Sequence, residues 1–121
     1  MVRILIIDDD PQILDMLGQT LKREGHEVVE ALDGKQGLKL YRENPADLVI
    51  TDIIMAGTEG IETIIELQRD FPDVKIIAIS GGGHNYPDDY LYIARMLGVQ
   101  KTFAKPISRE ELLKAVSELL N

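Results

Sequence analysis

The stretch ILIIDDDPQIL, residues 4–14, sets four apolar residues directly against three aspartates and a proline. The apolar run is short, β-branched and without alternation, as in a strand buried on both faces of a parallel sheet. Asp10-Pro11 then reads as a helix start, with Asp10 as the cap and Pro11 at the first helical position. Ile13, Leu14, Leu17 and Leu21 continue as one apolar stripe, and Gly25 closes the helix. A buried strand passing straight into an amphipathic helix is the repeating unit of an α/β fold.

The unit recurs along the chain. VRILII (2–7), DLVITD (47–52) and KIIAIS (75–80) are strong strand signals, and HEVVEA (26–31) and QKTFAK (100–105) are weaker ones. Helical patterns fill the intervals. One spans about Lys35 to Arg42 before Asn44-Pro45, and another about Ile61 to Arg69 before Pro72. A fourth helix is predicted from Pro87 to Gly98 with Tyr90, Ile93, Ala94 and Leu97 inward. The last opens at Ser108, whose spacing to Glu111 is a capping box, and buries Leu112, Leu113, Val116 and Leu119 or Leu120. Five β-α repeats joined by right-handed crossovers predict a flavodoxin-like (βα)5 doubly wound sandwich. Its five-stranded parallel sheet is expected in the order 2-1-3-4-5.

Composition narrows the class. The 121 residues make one expected domain, 1–121, with no output domain in this chain. There is no cysteine, hence no disulfide framework and no thiolate metal site. Met1 leads into a short strand rather than a signal peptide, and no apolar run approaches the roughly 20 residues of a membrane span. A cytoplasmic location is expected. The net charge of −8 argues against nucleic acid or an anionic membrane as a direct partner.

In a parallel sheet the C-terminal strand ends share one edge. The first strand is followed there by Asp8 and Asp9, the third ends at Asp52, the fourth at Ser80 before Gly81, and the fifth at Lys105 before Pro106. The first and third strands flank the point where the winding reverses, where such sheets bind ligands. Two unit charges about 4 Å apart repel by roughly 4 kcal/mol at an effective dielectric near 20, so gathered carboxylates require cations. Three carboxylates, the Lys105 ammonium and one divalent cation sum to zero, and Mg2+ is the first choice for hard oxygen ligands. Asp8 and Asp9 read as a metal cradle and Asp10 as a helix cap. Asp52, between the paired acids and the Ser80/Lys105 pair, is the best candidate for a nucleophile forming an aspartyl phosphate.

DDD at 8–10, TDIIM around Asp52, SGG at 80–82 and AKP at 104–106 together resemble the receiver domain of two-component response regulators, the CheY-like fold. The resemblance covers essentially the whole chain. It implies that Asp52 takes a phosphoryl group from a histidine kinase or histidine phosphotransfer protein and that the domain signals to a downstream target protein. It also implies Mg2+ bound by Asp9 and Asp52, by Asp8 through water and by the Ile54 carbonyl. Ser80, Gly81 and Lys105 would stabilise the phosphoryl group, with a cis bond between Lys105 and Pro106. A monomer or weak dimer is expected.

Three features depart from the family. Ala56 stands where a proline usually follows the methionine, and is expected to loosen that loop. Thr102 occupies the switch position usually held by Tyr or Phe, while Phe103 should point to the other face of the strand. The GGGHNYPDD segment after Ser80 is longer than usual and expected to be mobile. The missing aromatic switch keeps open a phosphorylation-independent interaction module and favours a relay role over an end regulator. An enzyme acting on outside substrates is disfavoured, because Ile53 and Ile54 follow Asp52 and no second acid is at hand. His84 and His26 read as solvated and structural respectively. Glu62, Glu66 and Asp70 read as a solvated face, and Tyr92 with Met96 as an apolar outer patch on the fourth helix.

Overall fold

The computed structural model describes residues 2–53, 59–80 and 87–120, with the backbone alone for 87–91. Ten elements alternate along them: β1 (Arg3–Ile7), α1 (Pro11–Arg23), β2 (Glu27–Ala31), α2 (Gly34–Glu43), β3 (Leu48–Asp52), α3 (Glu59–Asp70), β4 (Ile76–Ser80), α4 (Pro87–Met96), β5 (Lys101–Ala104) and α5 (Arg109–Leu120). All pairings are parallel and the sheet order is β2-β1-β3-β4-β5, as the alternation of strands and helices predicts.

Parity along the central strands sorts the core into two layers, because successive side chains of a strand face opposite sides. Ile4, Ile6, Leu48, Ile50, Ile77 and Ile79 pack with Leu14, Leu17 and Leu21 of α1 and Leu112, Ala115 and Val116 of α5. Leu5, Ile7, Val49, Ile76 and Ala78 pack with Tyr41 of α2, Ile64 and Leu67 of α3 and Ala94 of α4. β3 and β4 are buried along their whole length, which explains why their apolar residues, Leu48–Ile50 and Ile76–Ile79, run without alternation. Each fully buried Val, Leu or Ile side chain among them contributes about 1.5–3 kcal/mol. The sheet's central strands are therefore fixed in register, and their C-terminal ends with them.

The helix termini follow the local chemistry. Asp10 accepts the Gln12 N–H at 2.9 Å with Pro11 behind it, and Gly25 takes a positive φ of 89° after α1. Ser108 Oγ accepts the Glu111 N–H at 3.0 Å. α2 begins one residue earlier than its periodicity indicates, because Asp33 caps it by accepting the Gln36 N–H at 2.7 Å. α3 begins two residues before Ile61. On α4, Ala94 is buried and Leu97 beyond it half-buried, but Ile93 is 42% exposed rather than inward. A helix turns about 100° per residue, so the narrow stripe through Ala94 leaves Ile93 on its flank. The side chain of Tyr90 lies outside the described residues.

Glu66 and Asp70 do not simply face water: Arg42 of α2 pairs with both, at 2.8 Å to Asp70. Phe103 packs against the α1/α5 layer, as its parity requires. Tyr92 and Met96 are exposed on α4. No helix among the described residues is long and apolar enough to cross a membrane.

Candidate functional site

β1 delivers the first acid. Asp8 follows Ile7 immediately, and its N–H extends the ladder to β2 by donating to the Ala31 carbonyl at 3.1 Å. Its side chain is 2% exposed, with Oδ1 accepting the Asp10 N–H at 2.9 Å. Asp52 is the last residue of β3, opposite Ile79 of β4, and is 3% exposed. The Lys105 ammonium reaches both acids, at 2.9 Å from Asp8 Oδ2 and 3.1 Å from Asp52 Oδ2. Asp9 is exposed, and carboxylate oxygens of Asp8, Asp9 and Asp52 all lie within 4.8 Å of one another.

The basic partner is anchored by its own backbone. The Lys105 N–H donates to the Ser80 carbonyl at 2.7 Å, continuing the β4–β5 ladder past Ala104. The Lys105–Pro106 peptide is cis. Burial pulls the Lys105 pKa down, but the hydrogen bond to Asp8 and the charges of Asp52 and Asp8 outweigh it, and the net direction is upward. Lys105 is therefore a fixed cation at neutral pH. Ser80 is wholly buried at the same edge, and its Oγ has no hydrogen-bond partner among the described residues. A buried hydroxyl left unmatched carries a free-energy penalty that a ligand oxygen would relieve.

The donor set suits a hard cation. Oxygens around an octahedral Mg2+ at 2.0–2.1 Å stand about 2.9 Å apart when adjacent and about 4.1 Å when opposite. Carboxylates within 4.8 Å of one another need only small side-chain rotations to match that spacing.

The sequence matches the response regulator receiver domain family over residues 4–117. The chain belongs to the response regulator receiver domain family. Receiver domains are phospho-accepting signalling modules of two-component systems and bind Mg2+ at an acidic cluster of this kind. Among its relatives is Protein PilH of Pseudomonas aeruginosa, 32% identical over 99% of this chain and 98% of PilH. The transcriptional regulatory protein GlrR of Escherichia coli is 33% identical over 97% of the chain, which spans only 26% of GlrR. A receiver domain from Clostridium thermocellum superimposes with a TM-score of 0.91 at 29% identity, covering 100% of this chain and 95% of that one. The response regulator TrrA of Thermotoga maritima, solved in complex with Mg2+-BeF, superimposes with a TM-score of 0.87 at 32% identity, covering 99% and 100%.

Of the site residues expected from the sequence of this receiver domain, Asp8, Asp9, Asp52, Ser80 and Lys105 meet at one edge of the sheet. Ile54 and Gly81 lie outside the described residues, as do Ala56, His84 and the glycine-rich segment at 81–86. Thr102 sits on β5 opposite Ala78, and its Oγ1 accepts from Arg95 Nη1 of α4 at 3.3 Å. That β5–α4 bond escapes sequence reasoning, since nothing local to Thr102 or Arg95 signals it. Glu59, at the start of α3, accepts the Gly34 N–H of α2, a contact across 25 positions that the local sequence does not signal.

Proposed function

We propose that this chain is a single receiver unit, residues 1–121, in which Asp52 accepts a phosphoryl group. The donor is a phosphohistidine of a histidine kinase or histidine phosphotransfer protein, and the recipient of the signal is a downstream target protein. The observation that carries the reading is the Lys105 ammonium between two buried carboxylates, 2.9 Å from Asp8 and 3.1 Å from Asp52, with Asp9 beside them.

In the transfer, an Asp52 carboxylate oxygen attacks phosphorus as the bond from phosphorus to the donor's imidazole nitrogen breaks. The electron pair leaves with the imidazole, and an acyl phosphate forms on Asp52. Asp8, Asp9 and Asp52, with the Ile54 carbonyl, would hold Mg2+, which neutralises charge on the phosphoryl oxygens when bound. Lys105 keeps its hydrogen bond to Asp8 and turns its remaining N–H donors to the phosphoryl group. Ser80 Oγ donates to a second phosphoryl oxygen, which satisfies its unmatched hydroxyl, and the Gly81 N–H is the proposed donor to that group as well. Ile54 offers no polar side chain to orient an attacking water, so the acyl phosphate is long-lived.

Intact-mass measurement after incubation with Mg2+ and acetyl phosphate tests this. The wild type gains the mass of one phosphoryl group; with EDTA, or in Asp52→Asn, it does not. Equal labelling of wild type and Asp52→Asn refutes the assignment.

A further inference from the structure

The first residue of α3 directs its side chain to a neighbouring helix. The Glu59 carboxylate accepts the N–H of Gly34, the first residue of α2. That N–H is one of the donors a helix start leaves without an intrahelical partner, and a carboxylate there also meets the positive end of the helix dipole. The two helix starts are pressed together at this point. A Cβ on Gly34 would lie 1.9 Å from Thr63 Oγ1, whose hydroxyl donates to the Glu59 carbonyl at 2.8 Å.

One residue on, Gly60 rests on the exit of β3. A Cβ there would stand 2.4 Å from the Cα and carbonyl oxygen of Ile53, so only glycine permits this approach. Ile53 is fully buried, donates its N–H to the Ile79 carbonyl at 3.0 Å, and adjoins Asp52. Contacts thus run without a break from Gly34 through Glu59 and Gly60 to Ile53 and Asp52.

We propose that Glu59 is a positioning residue for the phospho-accepting site. Its hydrogen bond to Gly34 sets where α3 begins, and Gly60 against Ile53 transmits that placement to Asp52, keeping its carboxylate in reach of Asp8 and Lys105. The inference rests on the reading of Asp52 given above. It differs from a stabilising role because it concerns the site's geometry, which Mg2+ affinity reports.

The test compares Glu59→Ala with Glu59→Gln in the full chain; the glutamine keeps an acceptor oxygen for Gly34. Three quantities are read: amide hydrogen exchange at Ile53, Mg2+ affinity by calorimetry, and the rate of phosphorylation by acetyl phosphate at limiting and saturating Mg2+. Losing a hydrogen bond to a charged group should raise Ile53 exchange and weaken Mg2+ binding by roughly tenfold each in Glu59→Ala. Glu59→Gln should stay within about threefold of wild type, since the acceptor survives. The rate deficit of Glu59→Ala should largely vanish at saturating Mg2+. A lower melting temperature with unchanged exchange and affinity overturns the proposal, and so does a glutamine variant as impaired as the alanine one. Failure of the Asp52 reading looks different: the wild type itself then neither binds Mg2+ nor takes a phosphoryl group, while Ile53 exchange still responds to Glu59→Ala.

Discussion

Replacing Asp9 by asparagine should make the protein more stable without Mg2+ and less responsive to it. Asp9 is exposed, and its carboxylate oxygen lies within 4.8 Å of those of Asp8 and Asp52. At that outer limit one pair of like charges costs about 3.5 kcal/mol at an effective dielectric near 20 and about 0.9 kcal/mol in water. Exposure places Asp9 towards the aqueous end, so its two repulsions come to about 2 kcal/mol. Lys105 is held by Asp8 and Asp52, and its residual attraction for Asp9 offsets part of that. A net gain of about 1 kcal/mol remains for Asp9→Asn, which raises the melting temperature by about 3–4 °C in a domain of this size. Mg2+ at about ten times its dissociation constant then stabilises the wild type by about 1.4 kcal/mol and the variant far less, reversing their order. Urea unfolding followed by far-ultraviolet circular dichroism, with and without Mg2+, reads both effects. A variant less stable than wild type without Mg2+, or equally stabilised by it, refutes the electrostatic reasoning.

Gly60→Ala should destabilise the domain by about 1–3 kcal/mol, because the added methyl meets the Ile53 backbone rather than a movable side chain; the midpoint of urea unfolding reports it. Asp70 should titrate at about 2, since hydrogen bonds from Arg69 and Arg42 hold its carboxyl below its ordinary value of 3.8. Its contribution to stability is therefore present above the unfolded value and lost as pH falls through about 2. Carboxyl-carbon NMR in Arg69→Ala should show the Asp70 midpoint moving up towards 3.8, and an unmoved midpoint contradicts the assignment of cause.

The parts of this domain legible in the sequence are those governed by short-range rules. Ile4–Ile7 and Ile76–Ser80 are buried on both faces, so their unbroken apolar runs identify central strands. Asp10-Pro11 and Ser108 with Glu111 announce helix starts through bonds that close within three residues. The site was legible for a topological reason. Once the strands are parallel, the residues after them share an edge, and Asp8, Asp52, Ser80 and Lys105 meet there. What the sequence concealed depends on contacts between elements. Arg42 finds Asp70 across 28 positions, and Glu59 finds Gly34 across 25. Ile93 misleads because its hydropathy equals that of a core residue, while its place one residue from buried Ala94 puts it on the flank of the narrow buried stripe.

The attachment point of the phosphoryl group remains the decisive quantity. After reaction with Mg2+ and acetyl phosphate, borohydride reduction followed by peptide sequencing by mass spectrometry marks the carboxyl that carried it. The reduced side chain should be found at Asp52 alone. Label at Asp8 or Asp9 instead, or at no carboxyl of the chain, would contradict the account.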